Sequence, residues 1–374
     1  MPKEIQVAIL GCGRVAGHHC LALQETDGVN LAAVCDLQIE RAEQYGKMYD
    51  VPFYQNYNEM FQNHSDIDVV SIITPSGMHA EHTKEILSNF GKSVIVEKPT
   101  FLGVREAERT FSLAKSIKLE IFPIFQNRHN KAVKRVKRAI AEGELGEVRI
   151  VSVRVRWCRP QAYYDLSQWR GTFSHDGGAL TNQGIHHVDL LTYLGGKVSR
   201  VNSVMRTMGA KIEVEDTAVA TLEYQHGGLG VVECTTAARP DDFEASISIV
   251  GEKGLAQIGG IAVNELQIFT PDPRECGPNS EDFSGINGKG AVYGYGHFQV
   301  YKDIGLHLNG EKEYPITETD CMNTLKLLEA FYKSHEVGDW VLAEDSGYSQ
   351  NLGRINDQIS AFYRTPKNNL SDVI

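Results

Sequence analysis

The sequence predicts an α/β protein in two parts. Residues 1–127 should form a doubly wound parallel sheet, and residues 128–374 an α+β domain with an open, mainly antiparallel sheet. Three observations carry this. Short β-rich runs alternate with amphipathic helical stretches over the first third. A glycine turn directly follows the first run. Beyond Gly146 the pattern changes to a strict two-residue alternation.

The early β-rich runs are 5–10, 31–35, 69–73, 93–96 and 120–125. Between the last two, Val104, Ala107, Phe111 and Ala114 share one helix face. Strand and helix repeated with short loops call for a parallel sheet covered on both sides. In 149–157, Val151, Val153, Val155 and Trp157 fall on one face and Ser152, Arg154 and Arg156 on the other, a strand with one wet face. Similar runs follow at 197–206, 216–225, 229–237, 244–250 and 254–258, with turns at Gly227-Gly228 and Gly251-Glu252-Lys253-Gly254. A helical segment at 184–194 interrupts them. Residues 271–298, rich in Gly, Pro and Asp, read as a long loop. Met322, Leu325, Leu328, Phe331 and Tyr332 make a helical stripe suited to the core, on C-terminal helices able to pack back on the first domain. Residues 367–374 read as a frayed tail.

Composition narrows the function. Of 374 residues 42% are hydrophobic and 23% charged, ordinary for a globular chain. The net charge of −11 argues against binding a phosphate backbone or an anionic membrane surface. No apolar run reaches the roughly 18 residues of a spanning helix. The opening MPKEIQVAILGCG runs into a glycine turn and does not read as a signal peptide. Neither nucleic acid nor membrane is expected as a partner, and the expected location is cytoplasmic. Seven scattered cysteines without a C-x-x-C pair predict free thiols and no structural metal.

Gly11-Cys12-Gly13-Arg14-Val15-Ala16 fits G-x-G-x-x-A between a strand and a helix. The first glycine allows the tight turn, the second admits a pyrophosphate, and Ala16 permits close packing. The helix N-terminus then faces the phosphates. About 25 residues on, Asp36 ends the second strand, where a carboxylate binds ribose hydroxyls and repels a 2′-phosphate. Residue 37 is Leu, so NAD is favoured over NADP.

The fourth strand runs into Glu97-Lys98-Pro99, where strand ends line the ligand crevice of an open sheet. A lysine there stabilises alkoxide character as a hydroxyl loses its proton and hydride departs. Asn182, His186 and Asp189 fall near one face of a helix, and His186 suits a general base. The His175, Asp176, His186, His187 and Asp189 group matches no zinc spacing, so no metal is expected; no G-x-S-x-G occurs either.

In one order the chain carries G-x-G-x-x-A, Thr74-Pro75 followed by His79, Glu97-Lys98-Pro99 and G-x-H-x-x-D at 184–189. Together these resemble the glucose–fructose oxidoreductase / inositol dehydrogenase / rhizopine catabolism family (Gfo/Idh/MocA). The resemblance implies an N-terminal Rossmann domain and NAD(P)-dependent oxidation or reduction of a sugar or polyol carbon. It also implies a homo-oligomer, dimer or tetramer, formed through the C-terminal sheet. Lys98 and His186 take the family's catalytic positions, and Pro99 is often cis. The cofactor set it implies is Gly11, Gly13, Arg14, Val15, Asp36, Thr74, Pro75, His79, Glu97, Lys98 and Gln126.

One departure matters: relatives often carry D-x-x-x-H, whereas here Asn182 stands where the Asp would be. A neutral amide cannot raise the pKa of His186 as a carboxylate would. Trp157 through Tyr164, Trp169-Arg170-Gly171-Thr172, Asn182-Gln183-Gly184, Glu215-Asp216-Thr217, Gly259-Gly260 and Val263-Asn264 resemble instead the UDP-N-acetyl-D-glucosaminuronate 3-dehydrogenase subgroup, which serves bacterial O-antigen synthesis. That likeness implies NAD-dependent oxidation of the sugar 3-hydroxyl. Asn182, Arg159, Tyr163, Tyr164, Trp169 and Arg170 would then contact the sugar nucleotide, Arg159 holding a carboxylate or diphosphate. UDP-N-acetylglucosamine or another sugar or polyol is the alternative substrate. An NAD-dependent glycosidase and a non-catalytic NAD sensor are the alternatives of other classes.

Overall fold

The computed structural model describes residues 3–284 and 293–365. The tail expected at 367–374 and residues 285–292 of the expected long loop lie outside them.

Apolar runs short enough to be strands build the first sheet. They are β1 (Ile5–Leu10), β2 (Val29–Cys35), β3 (Phe53–Tyr54), β4 (Val69–Ile72), β5 (Ser93–Val96) and β6 (Ile121–Pro123). All pair in parallel, in the order β3-β2-β1-β4-β5-β6. β4 and β5 are buried at every residue, as parallel strands covered on both faces must be. Helices α1 (Ala16–Gln24), α2 (Ile39–Tyr49), α3 (Tyr57–Asn63), α4 (His79–Glu85) and α5 (Val104–Ser116) form the crossovers. The helical face read from the sequence is the buried face of α5: Val104, Ala107, Phe111 and Ala114 all point inward. This strand order reverses between β1 and β4, and ligand crevices open at such a switch point, beyond the strands' carboxyl ends.

Helix α6 (Lys131–Ala141) leads into the second sheet, built from β7 (Val148–Arg156), β8 (Val198–Arg206), β9 (Thr217–Tyr224), β10 (Leu229–Thr235), β11 (Glu244–Gly251), β12 (Leu255–Gly259), β13 (Glu265–Phe269) and β14 (Val341–Leu342). Its order is β13-β12-β11-β7-β10-β9-β8-β14, antiparallel throughout except for the β7–β10 pair. One face packs on α8 (Ile185–Gly195) and α10 (Glu318–Val337), which follow the short α7 (Gln161–Tyr164) and α9 (Gly296–Leu308). Thr317 and Asp320 close a capping box at the start of α10.

Three elements depart from the sequence reading. β13 buries only Leu266 and Phe269, so it shows no alternation to read, and β14 has two residues. The expected loop to residue 298 ends earlier, because α9 begins at Gly296 and lays His297, Val300, Tyr301 and Ile304 against the first domain. The short α11 (Asp357–Ser360) comes last, and its Ser360 hydroxyl lies 3.3 Å from His175.

Candidate active site

Gly11 has φ +104°, and a Cβ there would lie 2.9 Å from the Ile73 carbonyl, so the turn after β1 requires glycine. Gly13 faces open space instead: an added Cβ would meet nothing within 4 Å. Arg14 is exposed and Val15 caps α1 without any side-chain bond. Among the described residues, the N–H groups of Gly13, Arg14 and Val15 meet no acceptor. Free N–H donors at a helix N-terminus with a cradle left clear beside them fit a diphosphate. Asp36 is anchored by the Cys12 and Gln38 N–H groups at 2.7 and 2.8 Å, which aims its remaining lone pairs outward. These residues therefore fit NAD.

Not every residue expected to hold the cofactor faces it. His79 lies 2.9 Å from the carbonyls of both Thr74 and Pro99, so it ties two crevice loops together and has no nitrogen left for a nucleotide. Thr74 itself bonds His82, while Pro75 starts the next turn. The Glu97 carboxylate is buried. It accepts the Lys98 N–H at 2.8 Å and His297 Nε2 at 2.9 Å, with His19 Nε2 at 3.3 Å. Burial acts to raise its pKa, yet the bonds from the two histidines hold it well below the ordinary carboxylate value. His19 continues to Tyr301 and then Ser71. Glu97 thus fixes the Lys98 main chain from α1 and α9. The His19–Glu97–His297 group has ligand-capable atoms within 4.8 Å of one another. Its members lie far apart in the chain, so no local spacing brings them together in the sequence.

The Lys98–Pro99 bond is cis. Lys98 Nζ donates to the Asn182 carbonyl at 2.9 Å, bridging the two domains, and burial lowers its pKa. Asn182 stands on a π-helical turn, Ala179–Gln183, and not on the α-helix expected to carry it together with His186 and Asp189. Its amide donates to Asp176 at 2.5 Å, and Asp176 also accepts the Gly171 N–H at 2.6 Å. Burial pushes the Asp176 carboxyl up to about 6. Asp176 was weighed in the sequence only as a metal ligand. It is in fact the carboxylate nearest Asn182, six residues away along the chain.

His186 sits in the first turn of α8, buried, with Gln126 Nε2 at 2.9 Å from its Nε2. Gln126 therefore meets the candidate base, a contact not anticipated for a cofactor residue. Burial and the Lys98 charge hold the His186 pKa well below its ordinary value, so the ring is neutral. Its Nδ1 has no partner among the described residues. The Gln126 amide N–H donates to Nε2, so Nε2 carries the lone pair of the neutral ring and the ring proton is on Nδ1. Asp189 does not join it. Both its oxygens face the Arg128 guanidinium at 2.6 and 2.8 Å, in the core.

The structure also divides the expected sugar-contacting group. Tyr164 is buried with its hydroxyl on Thr236, a core residue and not a pocket wall. Tyr163 bonds Arg170 and Gln183. Arg159 is already paired with Asp242 at 2.8 Å, which neutralises the charge expected to hold a substrate anion. Arg170 stacks on Tyr163 and Trp169, 4.4 and 4.6 Å from their ring centres, and meets no carboxylate among the described residues. Its charge reaches both Lys98 and Asp176. Of the two arginines, Arg170 is the one free to meet an anion.

Residues 5–124 match the oxidoreductase family with the NAD-binding Rossmann fold, and residues 133–257 match the GFO/IDH/MocA C-terminal domain. The scyllo-inositol 2-dehydrogenase (NAD(+)) of Bacillus subtilis is 25% identical over 72% of this chain and 78% of its own length. The WlbA dehydrogenase of Bordetella pertussis, solved in complex with NADH and UDP-GlcNAcA, is 32% identical with a TM-score of 0.83, covering 91% of this chain and 98% of that one. Its counterpart from Chromobacterium violaceum, solved with the same two ligands, is 34% identical with a TM-score of 0.81, covering 91% and 96%.

Proposed function

The chain belongs to the Gfo/Idh/MocA family of oxidoreductases, and on that premise we propose that it oxidises the 3-hydroxyl of UDP-N-acetyl-D-glucosaminuronate. NAD, when bound in the Rossmann crevice, supplies the hydride acceptor. Lys98 donates to the sugar oxygen and stabilises the negative charge that develops on it. Neutral His186 takes the hydroxyl proton at Nε2, the lone-pair nitrogen that Gln126 faces. Asn182, fixed by Asp176, offers its carbonyl to Lys98 and so sets the height of the ammonium over the sugar.

The observation that carries the substrate is the Arg170 guanidinium beside this group, which has no carboxylate at ion-pair distance among the described residues. A neutral hexose gives it no counter-charge, whereas a uronate carboxylate or a diphosphate does. The two WlbA dehydrogenases, solved with that uronate, support the same class. The test is NADH formation from NAD with the uronate and, in parallel, with UDP-N-acetylglucosamine. The uronate should be turned over with a kcat/KM at least about 10-fold higher, the scale of one charged hydrogen bond. Equal rates would move the substrate to the neutral sugar.

The outer face of the second sheet supports a homo-oligomer. Val204 and Val219 are cross-strand neighbours on it, 50% and 51% exposed, with Ile150, Leu229 and Val231 also uncovered. Ion pairs Arg156–Glu233 and Arg200–Glu223 border them. A continuous apolar patch with charged edges is the form of a self-association surface, and a second copy of the chain covers it in this reading. Light scattering should give at least twice the chain mass. A single-chain mass at about 10 μM, a concentration that populates stable dimers, would overturn it.

A further inference from the structure

The turn that presents Asn182 to Lys98 has no side-chain cap of its own: Gly178 precedes it at φ +93°, and Gly177 at φ +81°. Its leading N–H groups are satisfied by Glu215, in the loop just before β9. The Ala179 N–H donates to the Glu215 carbonyl, and the Leu180 N–H to Glu215 Oε1, both at 3.0 Å. A Cβ on Gly178 would fall 2.0 Å from Glu215 Oε2, so glycine is what lets the carboxyl lie flat against this turn. Glu215 begins the Glu215-Asp216-Thr217 motif. Asp216 has an evident task, accepting the N–H groups of Met208, Gly209 and Ala210. Glu215 does not follow from the proposed chemistry.

Proton counting around Tyr332 gives Glu215 its role. The Tyr332 hydroxyl lies within hydrogen-bond reach of the Gly177 carbonyl, of Thr181 Oγ1 at 2.8 Å and of Glu215 Oε1 at 2.7 Å. It has one proton to give, and the Gly177 carbonyl can only accept. Thr181 can supply its own proton. The 2.7 Å contact to Glu215 is then oxygen against oxygen without hydrogen, unless the carboxyl carries one. No cation pairs with Glu215 among the described residues, and an ionised carboxylate buried beside a phenol oxygen would be strongly disfavoured.

We propose that Glu215 is a positioning residue acting as a neutral acid, donating its proton to Tyr332 and so holding the 177–183 turn that sets Asn182 against Lys98. This rests on the reading of that turn as part of the active site. The groups facing Glu215 are Tyr332 from α10, Cys234 from β10, Asp176 and, round a cavity of about 300 Å³, Arg206, Glu213, His335 and Glu336. Glu215 itself lines that cavity. Burial pushes the Glu215 pKa up to about 8, and the Asp176 charge adds to it. Because the folded value lies above the unfolded one, the clamp is complete at low pH and is lost as pH rises through the folded value.

The test needs no substrate. Wild-type protein should show the infrared C=O stretch of a neutral carboxyl near pH 7, and the band should be absent in Glu215→Gln. Hydrogen-exchange protection of residues 179–183, corrected for intrinsic rate, should fall at least about 5-fold from pH 7 to pH 9 in wild type, a fall that linkage ties to this one proton. It should stay level across that range in the variant. The same infrared band in both proteins, or a parallel loss of protection, would overturn the proposal. Should the variant fail to fold, titration of the wild-type band decides, since its absence at every pH overturns the proposal equally. With both signatures present, a failure to turn over the uronate would count against the substrate and leave Glu215 in its role.

Discussion

Replacing Lys98 by Met is expected to lower kcat by at least about 10³-fold while NAD binding stays within roughly twofold of wild type. Met keeps most of the buried stem and removes only the charge and its three donors. The turn at Gly11 and Gly13 and the Asp36 anchor lie on other strand ends and do not depend on the ammonium. What is lost is the donor that bonds the Asn182 carbonyl and, in the reaction, the developing alkoxide. A second consequence follows from the field at the site. The Lys98 charge contributes to the low pKa of His186, so His186 in the variant should titrate at higher pH than in wild type. Stopped-flow hydride transfer and histidine NMR check the two parts. A variant within tenfold of the wild-type rate would remove Lys98 from the chemistry.

The second large effect concerns stability. Asp189→Ala should destabilise the protein by about 3–5 kcal/mol, the cost of leaving one partner of a buried ion pair uncompensated. Arg128 is only 6% exposed and faces Asp189 with two nitrogens, stacking meanwhile on Tyr193 at 4.4 Å. Asp320 also pairs with the guanidinium, at 3.0 Å, but Asp320 is partly exposed and cannot take over both bonds. Burial raises the Asp189 pKa against the pull of Arg128, so the folded state takes up this proton before the unfolded chain does, and the difference between wild type and variant should widen as pH falls through the folded value. Chemical denaturation across pH measures this. A loss below about 1 kcal/mol at neutral pH would mean that Asp320 or water compensates.

Much of the fold could be read because local pattern and tertiary need agree. β5 was legible to the residue, since Ser93 and the three apolar residues after it lie buried between turns, and α5 was legible from a face of four residues. β13 was not, because three of its five residues face solvent without alternation. The start of α9 was hidden behind a Gly-rich stretch, although its buried stripe belongs to a helix packed on α1.

The candidate site was legible where its residues fall within one short segment. Gly11, Gly13, Asp36, Lys98 and His186 each sit at a strand end or helix start that sequence spacing locates. Spacing misleads where a side chain turns to a remote partner. Glu97, beside Lys98, is drawn to His19 and His297 from helices at opposite ends of the chain. Asp189, one helical turn beyond His186, is drawn to Arg128. The contacts of Asp176 and Glu215 were missed for the same reason: each bonds Asn182 or its turn through folding that no period in the sequence records. Two adjacent histidines, His18 and His19, in an otherwise apolar crossover helix were the one signal of the buried group around Glu97.

The measurement that bears most directly on the central claim uses UDP-N-acetyl-D-glucosaminuronate carrying deuterium at carbon 3. Mixed with the protein and NAD, it should deliver that deuterium to the nicotinamide, leave a 3-keto sugar, and slow the hydride-transfer step by a primary isotope effect. Deuterium retained at carbon 3, with the nicotinamide reduced from another carbon or not at all, would contradict the assignment of Lys98 and His186 to that hydroxyl.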